Sequence, residues 1–73
     1  MAGAIEIDHR RLKQLRRERA LSQRALSDLS GVSLDAVNRL ETGKRRAQPL
    51  TIRKLAEALG VEPKELMKGD DYG

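Results

Sequence analysis

Seventy-three residues leave room for one domain, and a chain of this size buries only about 60% of its unfolded surface on folding, so its core must be thin. With no Cys, Trp or Phe and a single Tyr, that core is aliphatic, and disulfides and thiolate-bound metals are excluded. The net charge of +4 is unevenly spread: residues 10–54 hold thirteen Lys or Arg against four acids, residues 1–9 two acids and no Lys or Arg, and residues 55–73 two bases against five acids. A basic middle between acidic ends is the footprint of a polyanion partner, and equally of a solvated face in a small charged domain. The start, MAGAIEIDH, has acids where a secretory signal has bases, and no apolar run approaches the roughly 18 residues of a membrane span. The expectation is a soluble, cytoplasmic, single domain over residues 1–73, ordered from about 8 to 68.

In chain order, Gly3 to Ile7 shows no helical period and reads as a loose lead-in. Asp8 reads as an N-cap, with Ile7 before it and Leu12 after it at the spacing of a hydrophobic staple, and Leu15 one turn further on. Helix 1 is therefore expected from about His9 to Arg19, with Arg10, Arg11, Lys13, Arg16, Arg17 and Arg19 over the rest of its surface. His9 has no Cys, second His or carboxylate cluster at ligand spacing, so it reads as a surface residue of the first turn.

The stretch from Leu21 to Gly43 reads as two helices, each too short to fold alone, around a glycine turn. Ser22 and Ser33 are placed to cap them, Leu21 with Leu26 and Val32 with Val37 repeat the staple, and Gly31 allows a left-handed turn residue. Helix 2 is expected from about Gln23 to Ser30, with Ala25, Leu26 and Leu29 inward. Helix 3 is expected from about Leu34 to Thr42, with Val37 and Leu40 inward and Gly43 as its stop. This is how a helix-turn-helix is built. Lys44 to Pro49, KRRAQP, is a loop with three consecutive bases, a solvated turn in isolation and a phosphate clamp when placed directly after helix 3.

Helix 4 is expected from about Leu50 to Leu59, with Ile52, Leu55, Ala56 and Leu59 on one face and Gly60 as its stop. Its start is open between Gln48 ahead of Pro49 and a Thr51 cap. A short helix 5 follows, with Val61 and Leu66 as a staple around Glu62, Pro63 at its first position and Gly69 past its end; DDYG reads as a frayed tail. The expected fold class is all-α, five short helices in one compact domain without an internal repeat.

The run LSQRALSDLSGVSLDAVNRLETGKRR followed by TIRKLAEALGV resembles the phage-repressor and Cro type of helix-turn-helix domain, the xenobiotic-response-element family of bacterial regulators. The resemblance extends from about Leu12 to Leu66. Its specific pieces are LSQ at the start of helix 2, GVS across the turn, R-L-E-x-G-K at the end of helix 3, and LAEALGV closing helix 4, all in order and at the right spacing. It implies a five-helix, lambda-repressor-like fold with helix 3 in the DNA major groove and helix 2 above it across the backbone.

Position by position, Gln23 resembles a glutamine that contacts phosphate from the start of helix 2, and Arg24 beside it is placed with the phosphate-contacting set. Leu34, Asp35 and Asn38 fall where base edges are faced, with Ser33 and Arg39 at the margins. Thr42, Lys44, Arg45 and Arg46 resemble a loop that grips the backbone, and Arg16 and Glu41 resemble a structural pair linking helix 1 to helix 3. Leu34 departs from the family pattern, in which polar residues are frequent at that position.

Side-chain chemistry fits these positions. Asn38 can pair with adenine and Arg39 with guanine, Asp35 can accept from a cytosine amino group, and Leu34 can touch a thymine methyl. Asp35 has a second reading, as an acid favoured by the dipole of the first helical turn. Ser22, Ser27, Ser30 and Ser33 lack a base and an orienting acid, and no glycine loop or strand-turn elbow accompanies them, so caps rather than nucleophiles are expected. No enzyme, cofactor or metal is implied. The expected function is sequence-specific binding of double-stranded DNA by a transcriptional regulator, as a homodimer on a two-fold site, formed weakly or only on DNA. The alternative is an antitoxin or adaptor of the same fold whose main partner is a protein.

Overall fold

The structure, a computed structural model, describes residues 4–68. Four α-helices follow one another: α1 (His9–Glu18), α2 (Gln23–Ser30), α3 (Leu34–Glu41) and α4 (Pro49–Leu59), with a 3-10 turn at Pro63–Leu66. Three of them start on a side-chain cap: Asp8 Oδ1 accepts from Arg11 N at 3.1 Å, Ser22 Oγ from Ala25 N at 2.9 Å, and Ser33 Oγ from Ala36 N at 3.1 Å. Each satisfies one of the amides a first turn leaves without an intrahelical partner. For α4 no side chain caps the start; Gln48 is extended and Pro49 takes the first position, where its missing N–H costs nothing. The alternative start at Thr51 is thereby excluded.

The helix ends rest on left-handed residues. Gly31 at φ 78° turns the chain from α2 into Val32, whose amide donates to the buried Ser30 hydroxyl at 3.1 Å. At the end of α1 the same conformation falls on Ala20, φ 55°. There Leu21 N donates to Arg16 O at 3.1 Å and Ala20 N to Arg17 O at 2.9 Å, the paired bonds of a Schellman closure. A residue with a Cβ is disfavoured there by about 1 kcal/mol. Ala20→Gly is therefore expected to stabilise the domain by about 0.5–1 kcal/mol, read as a higher denaturant midpoint at unchanged slope.

One aliphatic core joins all elements: Leu12 and Leu15 from α1, Leu26 from α2, Val37 and Leu40 from α3, Ile52, Leu55, Ala56 and Leu59 from α4, with Ile7, Val32, Ala47 and Leu66 from the connections. These contacts set α2 against both α3 and α4, and α1 against α3. No helix among the described residues is long and apolar enough to cross a membrane.

The structure corrects several expectations. The fifth helix is a single 3-10 turn, closed by Glu65 N to Glu62 O at 2.9 Å and Met67 N to Lys64 O at 3.2 Å. Four residues beginning with a proline are too few for α-helical nucleation, and Met67 is already extended to pair with Ile7. The lead-in is not loose. Ile5 and Ala47 exchange backbone bonds of 2.6 and 2.9 Å, Asp8 N donates to Leu66 O at 2.8 Å, and Lys68 N to Glu6 O at 3.2 Å. Residues 4–8 thus run between the basic loop and the chain beyond the 3-10 turn, and ordered structure begins before residue 8.

Leu29, expected inward, is 62% exposed. The buried side of α2 is instead Leu26 with Ser30, four residues apart. Helices α1 and α3 each end one residue earlier than expected, and α4 starts one earlier. Gly69 and the DDYG tail lie outside the described residues.

Candidate nucleic-acid interface

Because Val37, Leu40 and Glu41 turn inward on α3, the opposite side of that helix faces solvent with Ser33, Leu34, Asp35, Asn38, Arg39 and Thr42. All five expected base-reading residues are therefore on one exposed side. Leu34 is 38% exposed, an apolar side chain at the rim of this face. Lys44, Arg45 and Arg46 follow directly and are exposed, as is Arg24 near the start of α2.

The α2–α3 geometry is held from beneath by an ion pair. Arg16 Nε donates to Glu41 Oε2 at 2.5 Å, Nη2 to Glu41 Oε1 at 3.0 Å, and Nη1 to Leu21 O at 2.7 Å. Both side chains are buried, Arg16 at 10% and Glu41 at 1% exposure. The fork-to-carboxylate pairing satisfies both charges and fixes the start of α2 to the end of α3.

The bonds continue outward. Gln23 Nε2 donates to Glu41 Oε1 at 3.1 Å, and Asn38 Nδ2 donates to Gln23 Oε1 at 3.4 Å. Gln23 therefore joins the buried carboxylate to the exposed amide of Asn38. One N–H and the carbonyl oxygen of Asn38 remain for an outside partner, the donor and acceptor that an adenine edge requires. The backbone amides of Gln23 and Arg24 sit at the positive end of the α2 dipole, where an anion is favoured.

Thr42, exposed at the end of α3, is bonded within the helix in the free chain. Its hydroxyl proton is directed at the carbonyls of Asn38 and Arg39, at 3.0 and 3.2 Å, so the side chain closes α3 rather than pointing a donor outward. Gly43, φ 74°, and Lys44 complete that closure: Lys44 N donates to Arg39 O at 2.9 Å and Gly43 N to Leu40 O at 3.4 Å. His9, a partly exposed residue of the first turn of α1, lies over Gly43, where an added Cβ would lie 3.1 Å from its Cδ2 atom.

The basic loop is anchored at its far end. Ala47 is buried and paired with Ile5, while Arg46 lies 3.8 Å from Glu6. Lys44 and Arg45 have no acidic partner among the described residues. Together with His9, Gly43 and Ile7, these side chains line a cleft beside α3. The anchoring segment AIEID has no helical period, but its Ile and acidic residues alternate at the period of a strand, the one local signal of this pairing.

This arrangement has close relatives. A family model described as Helix-turn-helix matches residues 12–66. The HTH-type transcriptional repressor RghR of Bacillus subtilis (strain 168) is 47% identical over 62 residues, which cover 84% of this chain and 46% of that protein. The chain thus spans about half the length of this relative.

Among solved structures, the restriction-modification controller protein C.AhdI of Aeromonas hydrophila superposes with a TM-score of 0.78 at 42% identity, over 81% of this chain and 89% of that one. The DNA-binding domain of the P22 c2 repressor superposes with a TM-score of 0.77 at 28% identity, over 86% and 83%. A hydroxyethylphosphonate dioxygenase also contains the fold, with a TM-score of 0.78 at 32% identity, covering 90% of this chain but only 14% of the enzyme.

Proposed function

The chain belongs to the helix-turn-helix family, of the Cro/C1 type, and on that premise we propose that it is a transcriptional regulator that binds an operator in double-stranded DNA through α3. One observation carries the reading. The solvent side of α3 sets Asn38 and Arg39 beside Lys44 and Arg45, which have no acidic partner among the described residues, base-reading chemistry next to phosphate-gripping chemistry on one surface. α3 lies in the major groove, the loop after it grips one phosphate strand, and the start of α2 with Arg24 meets the other flank.

Residues 1–73 act as one DNA-binding domain in the cytoplasm, and two copies occupy a two-fold operator. The family resemblance implies contact between copies near the 3-10 turn and the loop before α4, and Leu50 beside that loop is 58% exposed. Binding of a duplex is expected to weaken linearly in log–log coordinates as salt rises, with a slope of about −3 to −4 per domain from Arg24 and the three loop bases. An affinity indifferent to salt overturns the reading. Selection from random duplexes is expected to return an inverted repeat whose half-sites lie about one helical turn apart.

Asn38→Ala is expected to lose about 1–3 kcal/mol on the selected site and little on unrelated DNA. Equal loss on every sequence would remove Asn38 from the base-reading set.

A further inference from the structure

Among the described residues the exposed side of α3 contains one ion pair, and it joins two of the residues expected to read bases. Arg39 Nε donates to Asp35 Oδ2 at 3.0 Å, one turn along the helix, with the side chains 55% and 73% exposed. Nη1 and Nη2 of Arg39 have no partner among the described residues. With Nε held, the free edge of the guanidinium presents two parallel N–H donors, the pattern that matches O6 and N7 of guanine.

We propose that Asp35 is a positioning residue: its carboxylate holds Arg39 so that Arg39 reads a guanine, and Asp35 itself touches no base. This rests on the reading of α3 as the helix in the major groove. Two physical reasons favour it over direct contact. A long arginine side chain loses rotamer freedom when it docks, and a carboxylate that already orders it removes part of that loss before DNA arrives. A bare carboxylate facing a phosphate-lined groove is repelled, whereas one neutralised by an adjacent guanidinium is not. In the free protein an exposed pair one turn apart contributes little to stability, so substitutions at Asp35 leave a folded domain in which recognition is read separately.

The test is selection of bound sequences from random duplexes, followed by affinity measurements on single base-pair variants of the selected site. Unfolding midpoints serve as the folding control. Arg39→Ala is expected to abolish a preference of roughly ten- to hundredfold at one G·C pair. Asp35→Ala is expected to reduce the preference at that same pair by about threefold or more, the double variant to be no worse there than Arg39→Ala, and Asp35→Glu to restore most of the preference.

If Asp35→Ala relaxes a different base pair, Asp35 reads a base and the proposal fails. If it changes no preference, the carboxylate serves only the helix dipole, and the proposal fails. A sharper preference at the Arg39 pair would mean that Asp35 competes with DNA for Arg39, which also overturns it. If the unsubstituted chain enriches no sequence, the DNA reading itself falls and takes this proposal with it, an outcome distinct from the other three.

Discussion

Glu41→Ala is expected to destabilise the domain by about 3–5 kcal/mol, the cost of leaving one member of a buried ion pair without its partner. The substitution strips Arg16 of two of its three hydrogen bonds and leaves a buried guanidinium bonded only to Leu21 O. It also removes the acceptor of Gln23, so the link that holds Asn38 is lost at the same time. A domain of this size has a total stability of roughly 4–11 kcal/mol, and the variant should be largely unfolded at modest denaturant or temperature.

Chemical denaturation followed by far-ultraviolet circular dichroism measures the effect. Replacing both members, Arg16→Met with Glu41→Leu, is expected to recover most of the loss, because apolar residues of similar volume leave no uncompensated charge. A loss below about 1 kcal/mol for Glu41→Ala would mean that the pair is solvated in solution rather than buried.

Neutralising the loop, Lys44→Gln with Arg45→Gln and Arg46→Gln, is expected to lower affinity for every duplex by roughly 10²- to 10³-fold at 0.1 M salt. Three phosphate contacts at 0.9 log unit each set that scale, and the log–log slope should fall by about 2.7. Arg46 is the weakest contributor, since Glu6 lies 3.8 Å from it. Lys44 and Arg45 alone set a lower bound of about 1.8 on the change in slope.

The substitutions spare the fold, because the three side chains are exposed while the loop is fastened through the buried Ala47 and its backbone bonds to Ile5. Titrations of a selected and an unrelated duplex across a salt series provide the measurement. A slope that does not move, or a loss confined to one sequence, would remove the loop from the phosphate-gripping role.

Much of this architecture is legible in the residues. Asp8, Ser22 and Ser33 are read as caps and serve as caps, because capping depends on a hydroxyl or carboxylate meeting an amide two or three residues away. The inward faces of α3 and α4 follow from helical period for the same local reason. The resemblance to the Cro/C1 type implied the Arg16–Glu41 pairing, residues twenty-five positions apart that no local rule connects.

Misreadings arise where a segment's partner lies elsewhere in the chain. Leu29 is apolar and in phase with Leu26, yet α2 packs on α3 and α4 with Leu26 and Ser30 buried and Leu29 left 62% exposed. PKEL has the marks of a helix start, yet Met67 leaves for Ile7.

The sequence by itself determined the helix starts, the glycine turn, most of the aliphatic core residues and the basic charge of residues 10–54, all consequences of interactions within about five positions or of composition. Only the tertiary structure decided that residues 4–8 fasten the basic loop, that Gln23 joins Glu41 to Asn38, and that Arg39 is held by Asp35. The first two depend on groups brought together by closure of the core. The third joins neighbours on one helix, but both side chains had other partners open to them until the packing of α3 turned that face to solvent.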